Sequence, residues 1–318
     1  DAFAVYRDIQ ARTRGQFLIG VVGPVRTGKS TFIRRFLEVL ALPVMEEESR
    51  AEVRDQLPLS GSGKLITTVE PKFVPQEAVE IQLGENIPIR LRLIDCVGFL
   101  VPDATGNMEN EKERMVKTPW FEEAIPFHEA AEIGTRKVIS EHSTLGILVT
   151  TDGSFGEIPR ENFTEAEEKT AGELKKQGKP FLILVNSVKP YKEETQKLTR
   201  ELAEKYGVSA LAANCDQLRG DDIVRILECL LYEFPLRQME FYIPKWVELL
   251  PLQNPLKAEL LDKIREQTAE LKYIRDVKKD AVQIQSEYVK SVSLLQVDLA
   301  SGTVRIQVEM KEKYYYDM

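Results

Sequence analysis

The chain has 318 residues, 43% hydrophobic and 30% charged, with a formal net charge of −8. That length suits roughly two domains of about 100–200 residues each, and the composition is that of a chain able to bury a core. The acidic balance argues against a nucleic-acid partner held by overall positive charge. No apolar run approaches the roughly 20 residues that cross a bilayer.

The opening residues "DAFAVYRDIQARTRG" mix charged and apolar positions and do not form a signal peptide. "FLIGVV" then reads as a short buried strand ending in a glycine loop. Gly23, Gly28, Lys29 and Ser30 complete G-x-x-x-x-G-K-S. In this pattern the glycines let backbone N–H groups turn onto phosphates, and a helix N-terminus adds partial positive charge. Lys29 would reach the β and γ phosphates, and the Ser30 hydroxyl would bind Mg²⁺. Arg26, Thr27 and Thr31 belong to the same nucleotide-binding loop, with Arg26 facing phosphate, a neighbouring subunit or solvent. In "STFIRRFLEVLAL", Phe32, Ile33, Phe36, Leu37 and Leu40 fall on one helical face.

"SRAEVRDQLPLSGSGKLITTVEPK" has weak periodicity and reads as a long, mobile connection. Thr67 and Thr68 lie near its end, where a threonine would close over Mg²⁺ and the γ-phosphate; two adjacent hydroxyls leave the choice open. "FVPQEAVEIQL" and "IPIRLRLIDCV" alternate as the two strands of a hairpin. The second ends in Asp95, with Gly98 at D-x-x-G spacing. Asp95 could hold the magnesium shell, and Gly98 could offer its N–H to the γ-phosphate and move when that group leaves. Phe99 follows, where a water-orienting glutamine is common, so slow hydrolysis is expected.

The polar segment 102–123 comes next and is the candidate for transmitting nucleotide state. "EAAEIGTRKVISEH" is helical, and "LGILVTT" and "FLILVNSV" are continuous apolar runs of the parallel-sheet kind. Helical patterns follow both runs, then a weaker strand, "VSALAAN", and a helix, "DDIVRILECLLYEF". The alternation predicts an α/β sheet with helices on both faces. The hairpin makes one strand antiparallel, which suits a P-loop NTPase of the translation-factor-like GTPase class.

That class reads guanine with N-K-x-D. Here the place holds Asn186, Ser187, Val188 and Lys189. Asn186 is kept as a nucleotide-binding residue. A lysine cannot accept the guanine N1–H and N2–H that a carboxylate accepts. ATP is therefore favoured over GTP, unless a shifted loop supplies an acid such as Asp216.

The first domain is placed at residues 1–236. Residues 237–318 form a smaller α+β segment, few residues for an independent core, that packs on the first domain or is part of a larger module cut short. Its helical stripe is Leu256, Leu260, Ile264, Leu271 and Ile274, and its hairpin turns at Ser301 and Gly302. Cys96, Cys215 and Cys229 have neither metal-ligand spacing nor an even-numbered disulfide pattern, and His128 and His142 lack a ligand cluster. A cytoplasmic setting is the simple reading.

Taken together, "GVVGPVRTGKSTFIRRF", "TTVEPKFVP", "RLIDCVG", "TPWFEEAIPFHEAAEIGTRKVI", "EHSTLGILVTTDG" and "LVNSVKPY" resemble the stage IV sporulation protein A family of spore-coat morphogenetic ATPases. The resemblance implies a GTPase-like fold that hydrolyses ATP with Mg²⁺. It also implies self-assembly into the base layer of the spore coat, on the mother-cell side of the forespore. By position, Lys29 matches the family's nucleotide-binding lysine, Asp95 its magnesium-linked aspartate, and Thr67 with Thr68 its sensing threonines. Further implied partners are other coat proteins and a small amphipathic membrane peptide. The resemblance implies that residues 237–318 are the start of the family's middle domain and that the region that docks the peptide is expected to lie outside this sequence.

Overall fold

A computed structural model describes residues 16–45, 47–56, 69–83, 87–104, 108–109, 112–277, 282–298 and 301–316. By its internal contacts the chain divides into two compact units, Phe3–Leu230 and Leu231–Met318.

The first unit is built on a six-stranded sheet. In chain order its elements are β1 (Gln16–Val22), α1 (Lys29–Phe36), α2 (Glu47–Gln56), β2 (Lys72–Leu83), β3 (Ile87–Asp95), α3 (Phe127–Lys137), β4 (Leu145–Thr151), α4 (Thr164–Lys176), β5 (Phe181–Asn186), α5 (Glu193–Tyr206), β6 (Ala210–Ala213) and α6 (Gly220–Tyr232). Strand order is β6-β5-β4-β1-β3-β2. All neighbours are parallel except β2, which runs antiparallel to β3. The strands that read as continuous apolar runs, β4 and β5, are buried along their whole length. Strands covered on both faces have no polar side to present, which explains the lack of alternation.

Local signals set the helix ends. Helix α5 stops at Gly207, whose φ of 65° is the left-handed C-cap conformation and whose N–H closes on the Ala203 carbonyl. Helix α1 buries Phe32, Ile33 and Phe36, and a wider π-helical turn, Leu37–Ala41, carries its line onward. Helix α2 occupies part of the stretch expected to be a mobile connection. Its sequence, EESRAEVRDQ, has Val53 as its one large aliphatic residue, so amphipathic periodicity gave no cue.

The second unit carries a three-stranded sheet, β7-β9-β8, from β7 (Gln238–Tyr242), β8 (Val289–Asp298) and β9 (Thr303–Met310). Strands β8 and β9 form the antiparallel hairpin, and Gly302 turns it at φ 69°. Helix α7 (Lys245–Leu249) and helix α8 (Pro255–Thr268) precede β8. Asn254 caps α8 by accepting the Leu256 N–H at 3.0 Å, and Pro255 takes the first helical position. Val247, Leu256, Leu260, Val304, Ile306 and Val308 form this unit's core. The expected stripe is broken: α8 ends at Thr268, and Ile274 is buried from a 3₁₀ turn beyond it.

Candidate functional site

The site lies at the carboxyl ends of β1, β3 and β5. Strand β1 delivers the glycine loop, residues 23–28, into the N-terminus of α1. At Gly28 the chain adopts φ 95°, and a Cβ there would sit 2.3 Å from the Asn186 Nδ2. Only glycine permits both that backbone and that approach. Asn186, at the end of β5, donates from Nδ2 to the Thr27 carbonyl at 3.0 Å, while its Oδ1 accepts the Cys215 N–H, also at 3.0 Å. The buried amide thus laces the loop to the turn after β6. Thr27 is itself buried, with its hydroxyl donating to the Pro24 carbonyl at 3.0 Å. Arg26 is exposed, in the left-handed region at φ 60°.

Lys29 is only 4% exposed, and its Nζ donates to the Pro24 carbonyl at 2.6 Å. Burial lowers its pKa from the ordinary lysine value, against the opposing pull of Cys96 and Asp95. A buried ammonium curled onto its own loop is a cation ready for a stronger acceptor. Ser30, the next residue, donates from Oγ to the Asp95 Oδ2 at 3.0 Å. Burial raises the Asp95 pKa, and Lys29 and Ser30 pull it back. The other carboxylate oxygen, Asp95 Oδ1, is buried without a hydrogen-bond partner. An orphaned anionic oxygen beside a serine hydroxyl is the donor set that a hard cation such as Mg²⁺ takes, usually with waters and phosphate oxygens completing its shell. Next to it, burial pushes the Cys96 thiol up to about 11, so it stays protonated.

Gly98 closes over this loop. Its φ is 97°, and a Cβ on it would lie 2.2 Å from the Gly23 carbonyl oxygen and 2.6 Å from the Lys29 Nζ. The Gly98 N–H donates to the Thr135 Oγ1 at 3.1 Å. Phe99 contributes through its backbone, its carbonyl accepting the Val25 N–H at 2.9 Å. Its ring is 3% exposed and packs in the main core, so the position expected to face an attacking water offers no side chain to it.

The loop after β5 is held from β4. Asp152 accepts from Ser154 N at 3.0 Å and from Thr195 Oγ1 at 2.8 Å, and Ser154 Oγ accepts the Val188 N–H at 2.9 Å. Ser187 is fully buried, with its hydroxyl accepting the Lys189 N–H at 3.1 Å. Asp216, the alternative acid, pairs with Arg34 at 3.3 Å on the exposed side of α1. Thr31 is half-buried at the first turn of α1. Thr67 and Thr68 lie outside the described residues.

Sequence reasoning brought Gly28, Lys29, Ser30, Asp95 and Gly98 together, and the structure places them within one cluster. It missed Thr135, Cys215 and Asp152. For Thr135 a signal existed: it is the one hydroxyl on a buried helix face otherwise made of Phe127, Ala130, Ala131 and Gly134. Among the described residues no group of three or more His, Cys, Asp and Glu side chains could hold a metal, and no helix is long and apolar enough to cross a membrane.

Comparison with known proteins gives this geometry a family. Residues 1–235 match the family model for the Stage IV sporulation protein A ATPase domain, and residues 236–318 match that for its middle domain. The chain is 44% identical over 313 residues to Stage IV sporulation protein A of Bacillus anthracis, with 98% of the chain covered. It is 43% identical to the proteins of that name from Bacillus subtilis (strain 168) and Clostridioides difficile (strain 630), with 98% and 99% of the chain covered. It spans 64% of the length of each of these relatives. The chain belongs to the Stage IV sporulation protein A family.

Proposed function

We propose that this chain is the nucleotide-handling part of an ATPase that binds and slowly hydrolyses ATP with Mg²⁺. Its hydrolysis would drive self-assembly into a structural polymer at the base of the spore coat, on the mother-cell side of the forespore surface. The observation that carries the first half is the pairing of Ser30 with Asp95 beside Lys29, with Asp95 Oδ1 left over. Lys29 moves from the Pro24 carbonyl to the β and γ phosphates. Ser30 and Asp95 hold the metal side, and the loop N–H groups and the start of α1 face the remaining phosphate charge. Mg²⁺, which Ser30 and Asp95 would hold, would supply positive charge that offsets the negative charge of the phosphates.

The sheet, with β2 antiparallel at its edge, supports assignment to the translation-factor-like GTPase class. Within that class the base is the exception. Asn186 is committed to the loop and to Cys215, Ser187 is buried, and Lys189 offers no acceptor for guanine. The site therefore takes adenine. Family membership supports the further proposal that the whole protein assembles with itself, with other coat proteins and with a small amphipathic membrane peptide.

Light scattering of the full-length protein with ATP, with a slowly hydrolysed analogue and with ADP tests the coupling. Scattering should rise with ATP alone. Equal assembly with ADP would remove the link to hydrolysis. Equilibrium competition settles the base: GTP binding tighter than ATP by a large factor would reassign the protein as a GTPase switch.

A further inference from the structure

Helix α3 presents a buried face of small residues, Ala130, Ala131, Gly134 and Thr135. Two segments from the nucleotide side rest on one turn of it. A Cβ added at Gly134 would lie 2.6 Å from the Val69 carbonyl oxygen and 3.2 Å from the Trp120 ring, so both pack directly on the helix backbone. Val69 is the residue after Thr68. One position further along, Thr135 Oγ1 accepts the Gly98 N–H at 3.1 Å.

The Thr135 hydroxyl is fully buried and donates its own proton to the Ala131 carbonyl at 2.8 Å. Its oxygen is thereby fixed as an acceptor. Gly98 is buried too, and its amide has one proton to give. The segment that carries it lies against Lys29, which a Cβ at Gly98 would approach to 2.6 Å. That proton can serve Thr135 or a new acceptor arriving beside Lys29, but not both at full strength.

We propose that Thr135 is a positioning residue: it holds the Gly98 amide while no γ-phosphate is present, and it yields the amide when one binds. This inference rests on the ATPase reading above and deepens it. The turn at Gly134 and Thr135 then senses both loops, Val69 through packing and Gly98 through a hydrogen bond. The signal has a route outward. The Phe127 N–H at the head of α3 bonds the Arg114 carbonyl at 2.8 Å, and Ile125 and Pro126 pair with Val116 and Met115. A shift of α3 therefore carries residues 114–126 with it.

The test compares Thr135→Val and Thr135→Ser in the full-length protein. Dissociation constants are measured for ADP and for the β,γ-imido analogue of ATP. Valine keeps the shape and removes the competing acceptor. It should raise the analogue's affinity relative to ADP by about three- to tenfold, the range of one ordinary hydrogen bond. ADP binding should stay within about twofold, because the β-phosphate needs no Gly98 amide. Thr135→Ser should behave as the native protein. An unchanged ratio in Thr135→Val, or a serine variant that shifts as far as valine, overturns the proposal while the ATPase reading stands. A native protein that binds neither nucleotide overturns both. Should the valine variant fold poorly, ¹⁵N-glycine labelling of the native protein gives the answer. The Gly98 amide resonance should move with the imido analogue and stay with ADP; a resonance indifferent to the analogue overturns the proposal.

Discussion

Asn186 and Thr27 are 159 residues apart in sequence and joined by a 3.0 Å hydrogen bond from the side-chain amide to the backbone carbonyl. The same amide's oxygen accepts the Cys215 N–H. One buried side chain thus fixes the glycine loop against the ends of β5 and β6. Asn186→Ala removes both bonds and leaves a buried carbonyl and a buried N–H unpaired, each costing about 1–3 kcal/mol. The variant should lose roughly 2–4 kcal/mol of stability by denaturant titration. Nucleotide affinity should fall by about tenfold or more, since a loop misplaced by a fraction of an ångström no longer aims its N–H groups. Full affinity in a destabilised variant would show that the lace serves the fold alone.

Lys29 carries the charge at the heart of the site. Lys29→Ala removes a buried ammonium whose partner is a backbone carbonyl, so folding should survive. Nucleotide binding should be abolished in equilibrium dialysis, because charge-assisted hydrogen bonds to the β and γ phosphates have no substitute. Wild-type affinity in this variant would sink the site assignment.

The strand–loop–helix around Lys29 was legible because its information is local. A short apolar run, glycines at fixed spacing and a 3.6-residue stripe all lie within about twenty residues, and β4 and β5 announce their burial by the unbroken apolar runs 145–149 and 181–185. The links from Asn186 to Thr27 and from Gly98 to Thr135 were not legible, since each depends on which strand ends the topology brings together. Helix α2 was missed for a different reason. With one large aliphatic residue in ten it has no stripe to read, and only tertiary context favours it. Phe99 was legible only as a residue unable to orient water; that its ring fills the core and its carbonyl accepts the Val25 N–H depends on tertiary packing that the D-x-x-G spacing does not encode.

Gly98→Ala tests how closely that segment must approach. The new methyl would collide with the Gly23 carbonyl and the Lys29 ammonium, and φ 97° is strained for any L-residue by about 1–3 kcal/mol. The backbone must back away from the glycine loop. Single-turnover ATP hydrolysis should fall by about a hundredfold, in the range seen when one preorganised backbone donor is lost. ADP affinity should change far less. Native turnover in Gly98→Ala would rule out a role for this amide.

Glu167 on α4 is a separate, structural matter. It is fully buried, and its carboxylate accepts from Thr150 at 2.6 Å, from Arg160 at 2.8 Å and from Tyr206 at 3.3 Å. Replacing one member of a buried ion pair costs about 3–5 kcal/mol, mostly because the partner is left uncompensated. Glu167→Gln should therefore lower the urea midpoint sharply while leaving nucleotide affinity per folded molecule unchanged. A variant as stable as the native chain would mean that water reaches Arg160 and takes over the pairing.

Asp152 governs how the loop after β4 responds to acid. Burial alone would raise its carboxyl, but hydrogen bonds from Ser154, Ser187 and Thr195 outweigh it and hold the group below the usual carboxylate range. A depressed folded-state pKa favours the charged form in the native protein. Its stabilisation is complete above the unfolded value, about 3.9, and disappears as pH falls through the folded value. Asp152→Asn keeps the shape and removes the titration. At neutral pH it should be less stable than the native chain by about 1–2 kcal/mol, the cost of weakening charge-assisted bonds to neutral ones. As pH falls below about 4 and on through the lower folded-state value the two stability curves should converge, because the native carboxylate becomes protonated only there. Urea midpoints across that range decide it: a gap that stays constant as pH falls would mean that the Asp152 charge contributes nothing, and that its bonds to Ser154 and Thr195 act by shape alone.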